Sequence, residues 1–297
     1  MSQVAIEPVS LSLAEGDFAA ALGASFARHG FAVVADHDLP AGLAEAMLAD
    51  VKVLFALPAE AKAGYRIAGG AGQRGYTPFA VETARDGAHP DLKEFWHVGR
   101  SGNPWPAEVP GFRDHAQGLF AAMEALGGRL LAAIGAYLKL HPGRLEDAAR
   151  QGNSVLRLLH YPRADFAGPA VRAAPHEDIN AITLLLGAEE AGLEILGRDG
   201  DWLPINPRAG AVVVNIGDML ARLTNDILPS TTHRVVNPAA DRRGIARYSM
   251  PFFLHFRSDF VIETLSECIG EGRPNLYPRP ISAAQFLARR LEEIRLV

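Results

Sequence analysis

Two of the ten histidines in this chain stand two residues before an aspartate, in His89-Pro90-Asp91 and His176-Glu177-Asp178. Side chains i and i+2 of a β-strand point to the same side, so an imidazole and a carboxylate at this spacing can share one metal ion. The first pair is interrupted by a proline within a stretch rich in Gly and Pro, and it reads as a surface turn. The second directly precedes the apolar run Ala181 to Leu186 and opens a β-rich half of the chain. A third ligand is on offer at His233, within the strand-like segment Thr231-Thr232-His233-Arg234-Val235-Val236.

Two imidazoles and one carboxylate leave coordination positions open, the arrangement of non-haem Fe(II) oxygenases. A closed structural zinc site would normally use several cysteines, and Cys268 is the only one present. The HExxH helix of many zinc hydrolases is absent. On residue types alone an iron oxygenase, another divalent-metal enzyme and unrelated core histidines all remain open. Arg247-Tyr248-Ser249 adds a further element: on one strand Arg247 and Ser249 share a face that Pro251 and Phe253 continue. An arginine on an otherwise apolar face needs an anion, supplied by a structural salt bridge or by a carboxylate-bearing cosubstrate.

Other signatures are weaker. Gly70-Ala71-Gly72-Gln73-Arg74-Gly75 spells the dinucleotide-binding pattern GxGxxG, but Tyr76-Thr77-Pro78 follows where a helix should open, so it reads as a loop. No GxxxxGK[ST] phosphate loop and no GxSxG nucleophile elbow occur.

The elements that must position these residues follow from the pattern. Asp17 to His29 has helical spacing and stops at Gly30, a good C-terminal cap; Phe31 to Ala35 reads as a buried strand. A second helix is expected from about Pro40 to Leu57, and irregular structure from Ala68 to Pro110. Phe112 to Lys139 places Leu119, Met123, Leu126, Leu130 and Ile134 on one face of a scaffold helix. Strands are predicted at Ser154 to Tyr161, Ala181 to Leu186, Ala211 to Ile216, Thr231 to Asn237, Ala246 to Phe256 and Phe260 to Thr264, as in a sandwich or barrel. Pro280, Ser282 and Gln285 resemble the start of a terminal helix with a capping box, running to Ile294.

The chain has 297 residues, 48% of them hydrophobic and 21% charged, an ordinary globular composition. With 29 basic against 34 acidic residues it has no cationic excess for nucleic acid. A lone cysteine suits a reducing compartment, and no basic-then-apolar leader or long apolar run is evident; a cytoplasmic protein with no membrane partner is expected.

The order His-x-Asp, His, Arg-x-Ser, with Asn215-Ile216-Gly217-Asp218-Met219-Leu220, Leu223-Thr224-Asn225, Ser230-Thr231-Thr232-His233-Arg234-Val235-Val236 and Arg247-Tyr248-Ser249-Met250-Pro251-Phe252-Phe253, resembles the isopenicillin N synthase-like Fe(II)/2-oxoglutarate-dependent oxygenases. His29-Gly30-Phe31, Leu57-Pro58 before Lys62, and Gly75-Tyr76 extend the likeness over nearly the whole chain. The resemblance implies a mainly β fold with flanking helices: a double-stranded β-helix (jelly roll) core with a helical N-terminal region and a C-terminal helix. It divides one integrated domain into an N-terminal region (1–110), scaffold helices (111–150), the jelly-roll core (151–265) and a C-terminal segment (266–297).

It also implies His176, Asp178 and His233 as Fe(II) ligands, Arg247 and Ser249 as binders of the distal carboxylate of 2-oxoglutarate, and Tyr161 as a residue contacting cosubstrate or substrate. Leu159 occupies a place where plant members often carry asparagine. The implied reaction consumes O₂ and 2-oxoglutarate, releases succinate and CO₂, and oxidises a C–H bond of a small molecule. Two rivals are an oxidase of the same family that needs no 2-oxoglutarate and a binding module with a vestigial metal site. Tyr76, Trp96, His97, Arg100 and Phe253 are the candidates for lining the substrate pocket; substrate and oligomeric state are left open.

Overall fold

A computed structural model describes residues 6–70, 72–79, 81, 91–163, 172–186, 192–205, 210–237 and 244–293. The N-terminal third carries strand β1 (Pro8–Ser10), helix α1 (Glu15–His29), β2 (Phe31–Ala35), α2 (Leu43–Ala56), α3 (Ala59–Ala63), β3 (Gly75–Thr77) and β4 (Glu94–Gly99). Helices α4 (Phe112–Tyr137) and α5 (Arg144–Ala149) follow. The β-rich half contains β5 (Val155–Tyr161), β6 (Ala173–His176), β7 (Ile182–Leu186), β8 (Leu193–Leu196), β9 (Trp202–Pro204), β10 (Val212–Ile216), α6 (Asp218–Leu223), β11 (His233–Val235), β12 (Arg247–Ser249) and β13 (Pro251–Leu254). Last come the short hairpin partners β14 (Val261–Ile262) and β15 (Ile281–Ser282), and α7 (Ala283–Glu293).

Nine strands form one sheet in the order β1-β2-β10-β7-β13-β5-β4-β3, with β12 also pairing β5. Four form a second sheet, β6-β11-β8-β9. Mostly antiparallel pairing, with the long helices on one side of the larger sheet, is the jelly-roll architecture expected from the motifs.

The two faces of the large sheet differ in what covers them. On β5, Leu156 and Leu158 are fully buried against the α4 side, where Leu119, Met123, Leu126, Leu130 and Ile134 of that helix are 0–1% exposed. Residues Arg157, Leu159 and Tyr161 point the other way, into the interior of the roll. Register carries this inward face across the sheet: Phe95 lies opposite Leu159, His97 opposite Arg157, Arg247 opposite Tyr161, Ser249 opposite Leu159 and Phe253 opposite Thr183.

Several expectations from sequence are corrected. The stretch from Ala68 to Pro110 holds two strands, β3 and β4, the second buried at every position. Its sequence, Glu-Phe-Trp-His-Val-Gly, has no clean alternation because both faces are covered. The strand expected over Ala246 to Phe256 is two, interrupted at Met250, and the one expected over Thr231 to Asn237 shrinks to β11. Strands β6, β8 and β9 carry no strong pattern. The second helix begins after Gly42 rather than at Pro40. The terminal capping box forms as expected: Ser282 N donates to Gln285 Oε1 at 3.3 Å and Gln285 N to Ser282 Oγ at 3.2 Å.

Candidate metal and cosubstrate site

His176 ends β6 and His233 begins β11, and these two residues are direct register partners, so their rings face each other with centroids 4.4 Å apart. Asp178 lies past the end of β6 in the following loop, which corrects the same-strand placement inferred from the i, i+2 spacing. The loop nevertheless brings it to the pair: Asp178 Oδ1 is 3.9 Å from both His176 Nε2 and His233 Nε2. Among the described residues these three form the one His/Cys/Asp/Glu cluster of metal-binding geometry, with ligand atoms within 4.8 Å of one another.

Each ligand is oriented by a second contact. His176 Nδ1 donates to Ala174 O at 2.8 Å and His233 Nδ1 to Thr231 O at 3.2 Å, so both Nε2 lone pairs face inward. Asp178 Oδ2 accepts Thr183 Oγ1 at 2.6 Å and Asn215 Nδ2 at 2.8 Å, leaving Oδ1 turned toward the imidazoles. Burial, with His233 next in weight, holds His176 below the usual imidazole range and therefore neutral. Burial alone would raise Asp178, but the two histidines and the Asn215 and Thr183 donors bring its carboxyl below the usual carboxylate range. Two imidazoles with their Nε2 atoms turned inward and one carboxylate, each pinned through its outer atom, fit a divalent metal.

The backbone of the ligand loop is clamped by the N-terminus of α6. Asp218 N donates to Asp178 O at 2.7 Å, Met219 N to Asn180 O at 3.2 Å and Gly217 N to Ala181 O at 2.9 Å. Gly217 cannot carry a side chain, because a Cβ would stand 2.2 Å from Asn180 O. Residue type alone does not single out Asn215, Thr183 and Gly217 as site residues. The signal for Asn215 and Gly217 is the Asn-Ile-Gly-Asp run, which has no chemistry of its own to announce it, and Thr183 has none.

The second group lies elsewhere on the inward face. Arg247 and Ser249 are 2% and 5% exposed, Arg247 Nη1 donates to Ser249 Oγ at 3.2 Å, and the guanidinium sits 5.2 Å from the Tyr161 ring centroid. Tyr161 packs with Phe95 and Leu159, so an apolar residue fills the place that plant members give to asparagine. Of the pocket candidates, His97 and Phe253 face the interior. Tyr76 and Trp96 face the helices: the Trp96 ring meets Phe112 and Tyr65, and Tyr76 donates to Glu94. Arg100 pairs with Glu124 of α4 and leaves the interior as well.

The remaining motifs also find their places. Of His89-Pro90-Asp91, His89 and Pro90 lie outside the described residues. Asp91 is buried rather than in a surface turn: it accepts Lys93 Nζ at 2.8 Å and Ala174 N at 3.2 Å, steadying the strand that carries His176. The glycine-rich run, of which Ala71 is not described, leads into β3 and not into a helix.

Comparison with known proteins agrees with this geometry. Residues 152–256 match the 2OG-Fe(II) oxygenase superfamily, and residues 5–116 match the N-terminal region of non-haem dioxygenases in morphine synthesis. The 2-oxoglutarate-Fe(II) type oxidoreductase hxnY of Emericella nidulans is 32% identical over 282 residues, 87% of this chain and 79% of that protein. The crystal structure of a putative 2OG-Fe(II) oxygenase family protein from Caulobacter crescentus superposes with a TM-score of 0.90 at 52% identity, covering 98% of this chain and 99% of that one. A full-length Neurospora crassa protein, solved in complex with alpha-KG and thymine, gives 0.84 at 28% identity over 93% and 91% of the two chains. With the jelly roll and the His-Asp-His cluster in place, these likenesses establish that the chain belongs to the 2OG-Fe(II) oxygenase superfamily.

Proposed function

We propose that His176, Asp178 and His233 hold Fe(II), that Arg247 and Ser249 hold the distal carboxylate of 2-oxoglutarate with Tyr161 beside them, and that the reaction hydroxylates a small molecule. As a superfamily member the protein is an Fe(II)- and 2-oxoglutarate-dependent oxidoreductase. The observation that carries the residue assignment is the convergence of three ligand atoms, each oriented by its own hydrogen bond, on one interior point. Bound there, Fe(II) with O₂ and 2-oxoglutarate supplies the oxidising power for a C–H bond, with succinate and CO₂ released. The chain's part is positioning. Buried Arg247 offers a rigid fork suited to a carboxylate, and Ser249 adds a hydroxyl donor.

A small-molecule substrate suits a metal site set among largely buried side chains, and the Neurospora crassa protein solved with thymine is a structural neighbour. A cytoplasmic setting suits the single buried cysteine, Cys268. Anaerobic Fe(II) titration with and without 2-oxoglutarate tests the assignment. The expected result is a metal-to-ligand charge-transfer band that requires both and is lost in His176→Ala. Turnover on Fe(II) and O₂ alone, in enzyme freed of 2-oxoglutarate, would favour the oxidase reading instead.

A further inference from the structure

The C-terminal helix carries an arginine where an apolar residue is expected. Helix α7 packs through Ala283, Phe286, Leu287 and Leu291, the spacing of one helix face, and Arg290 falls in the middle of that face. A cation there is costly unless an anion meets it. The anion is Asp218: Arg290 Nη2 lies 3.0 Å from Asp218 Oδ2, and both side chains are only 14% exposed. The other arm of the guanidinium, Nη1, donates to Glu293 Oε2 at 2.8 Å.

Asp218 does two things at once. It opens α6, and while its carboxylate takes Arg290, its backbone N–H holds the Asp178 carbonyl at 2.7 Å. One residue therefore joins the main chain of a metal-ligand candidate to the C-terminal helix. The charges of Glu177 and Asp178 both act on the Asp218 carboxylate, so Arg290 is a cation set against three neighbouring acids.

The rest of α6 is tied to the C-terminal segment as well. Arg222 Nη2 donates to Arg279 O at 2.6 Å, its guanidinium lies 4.7 Å from the Tyr277 ring centroid, and Leu265 N donates to Leu223 O at 3.0 Å. Just past the helix, Asn225 donates through Nδ2 to Cys268 O at 3.2 Å and Pro274 O at 3.0 Å and accepts Leu276 N at 2.9 Å. A helix of six residues is marginal alone, so its place is set by what it touches. At one end that is the Asp178 loop, and along the remainder it is the C-terminal segment.

We propose that the C-terminal segment is a brace for the metal-ligand loop and that Arg290 is its positioning residue: Arg290 fixes Asp218, Asp218 fixes the Asp178 backbone, and the affinity for Fe(II) depends on this chain of contacts. The proposal rests on the metal assignment above. Arg290 itself makes no polar contact with His176, Asp178 or His233. Charge and position predict opposite signs for its loss. Removing a cation from beside three carboxylates would by itself tighten the binding of another cation, whereas loosening the loop weakens it.

The test is anaerobic isothermal titration of Fe(II) into metal-free protein and of 2-oxoglutarate into Fe(II)-loaded protein, beside the visible absorption of the Co(II) form, whose bands report ligand geometry. Arg290→Gln is expected to weaken Fe(II) by at least about tenfold and to displace the Co(II) bands, with the 2-oxoglutarate Kd at saturating Fe(II) changed by less than about threefold. Arg290→Lys should recover part of the loss. Glu94→Ala, which breaks a buried ion pair on the helix-covered face, controls for lost stability and should bind Fe(II) as the wild type does. Unchanged or tighter Fe(II) binding in folded Arg290→Gln, or an equal weakening in Glu94→Ala, overturns the proposal. If Arg290→Gln does not fold, Asp218→Asn, which keeps the backbone N–H and the side-chain volume, must weaken Fe(II) by about tenfold and displace the Co(II) bands for the proposal to stand. Wild-type Fe(II) affinity in His176→Ala would instead overturn the metal assignment.

Discussion

Asp178 and Glu94 are both carboxylates buried in the same sheet system, and they differ in what is left over. Glu94 points to the helix-covered face and has both oxygens engaged: Lys62 Nζ at 2.7 Å and Tyr76 OH at 2.6 Å on Oε2, His160 Nδ1 at 2.7 Å on Oε1. Asp178 faces the interior with one oxygen engaged twice and the other turned to two imidazoles 3.9 Å away, beyond hydrogen-bond reach. A carboxylate saturated by its neighbours ties α3, β3, β4 and β5 together. A carboxylate held by one oxygen, with the other oriented toward nitrogen lone pairs, is prepared for something that must still arrive.

The largest effect expected from this contrast is catalytic. Asp178→Asn keeps the shape of the side chain but removes the anionic ligand, so turnover should fall by at least about a thousandfold, ~4 kcal/mol at the barrier, while the melting temperature of metal-free protein changes little. Glu94→Ala should do the reverse. It strands a buried Lys62 that is 7% exposed and costs about 3–5 kcal/mol of stability in chemical denaturation, while activity per folded molecule is kept. Similar stability losses in both variants would erase the distinction between the two sites.

Next is the cosubstrate site proposed at Arg247 and Ser249. Arg247→Leu should raise the KM for 2-oxoglutarate by about a hundredfold or more, which is about 2.8 kcal/mol, with Fe(II) affinity little changed. Ser249→Ala should follow in the same direction at about 1 kcal/mol. A defect that appears in Fe(II) binding instead would mean that the two ends of the interior are coupled more tightly than their separation on β5 suggests.

What could be read from the sequence divides along the same line. That His176, Asp178 and His233 come together was legible because a metal demands particular residue types at particular spacings, and few residues in this chain meet the demand. Thr183, Asn215 and Gly217 were not, since hydroxyls, amides and glycines serve many purposes and only register shows that these three converge on Asp178. The direction in which Arg157 points was hidden for a related reason. Its neighbours in Val-Leu-Arg-Leu-Leu-His-Tyr are buried on both faces, so the run gave no alternation to show which way the arginine points. The long helices were plain from their period; β6, β8 and β9, three or four residues each, are too short to show one.

The clamp on the ligand loop offers a smaller and more selective perturbation. In Gly217→Ala the new methyl would press on the Asn180 carbonyl, and the loop must shift to relieve it. Overpacking of this kind costs about 1–3 kcal/mol, and because the loop carries Asp178 the weaker Fe(II) binding should exceed any loss of 2-oxoglutarate affinity. Isothermal titration of both ligands separates the two, and unchanged Fe(II) affinity would show that α6 supports the loop without positioning the ligand.

The smallest effect concerns His255, on the inward side just past β13, 7% exposed, with its backbone N–H bonded to Ser154 Oγ at 3.2 Å. Burial holds its pKa down to about 4, below the ordinary 6.5. The folded protein therefore keeps this ring neutral between those values while the unfolded chain protonates it. Stability from this group is complete above about pH 6.5 and is lost as pH falls toward 4, at up to about 1.4 kcal/mol per pH unit. Asp218 acts with the opposite sign: burial raises it to about 6, so from 3.8 to 6 the folded state holds the extra proton and gains on acidification. The raw profile sums both groups, and the difference between wild type and His255→Gln isolates the histidine. Denaturant titrations at pH 7, 6 and 5 should show the wild type losing more stability than the variant at each step below 6.5. Parallel curves would mean that His255 is already charged in the folded protein and lies in wetter surroundings than its packing indicates.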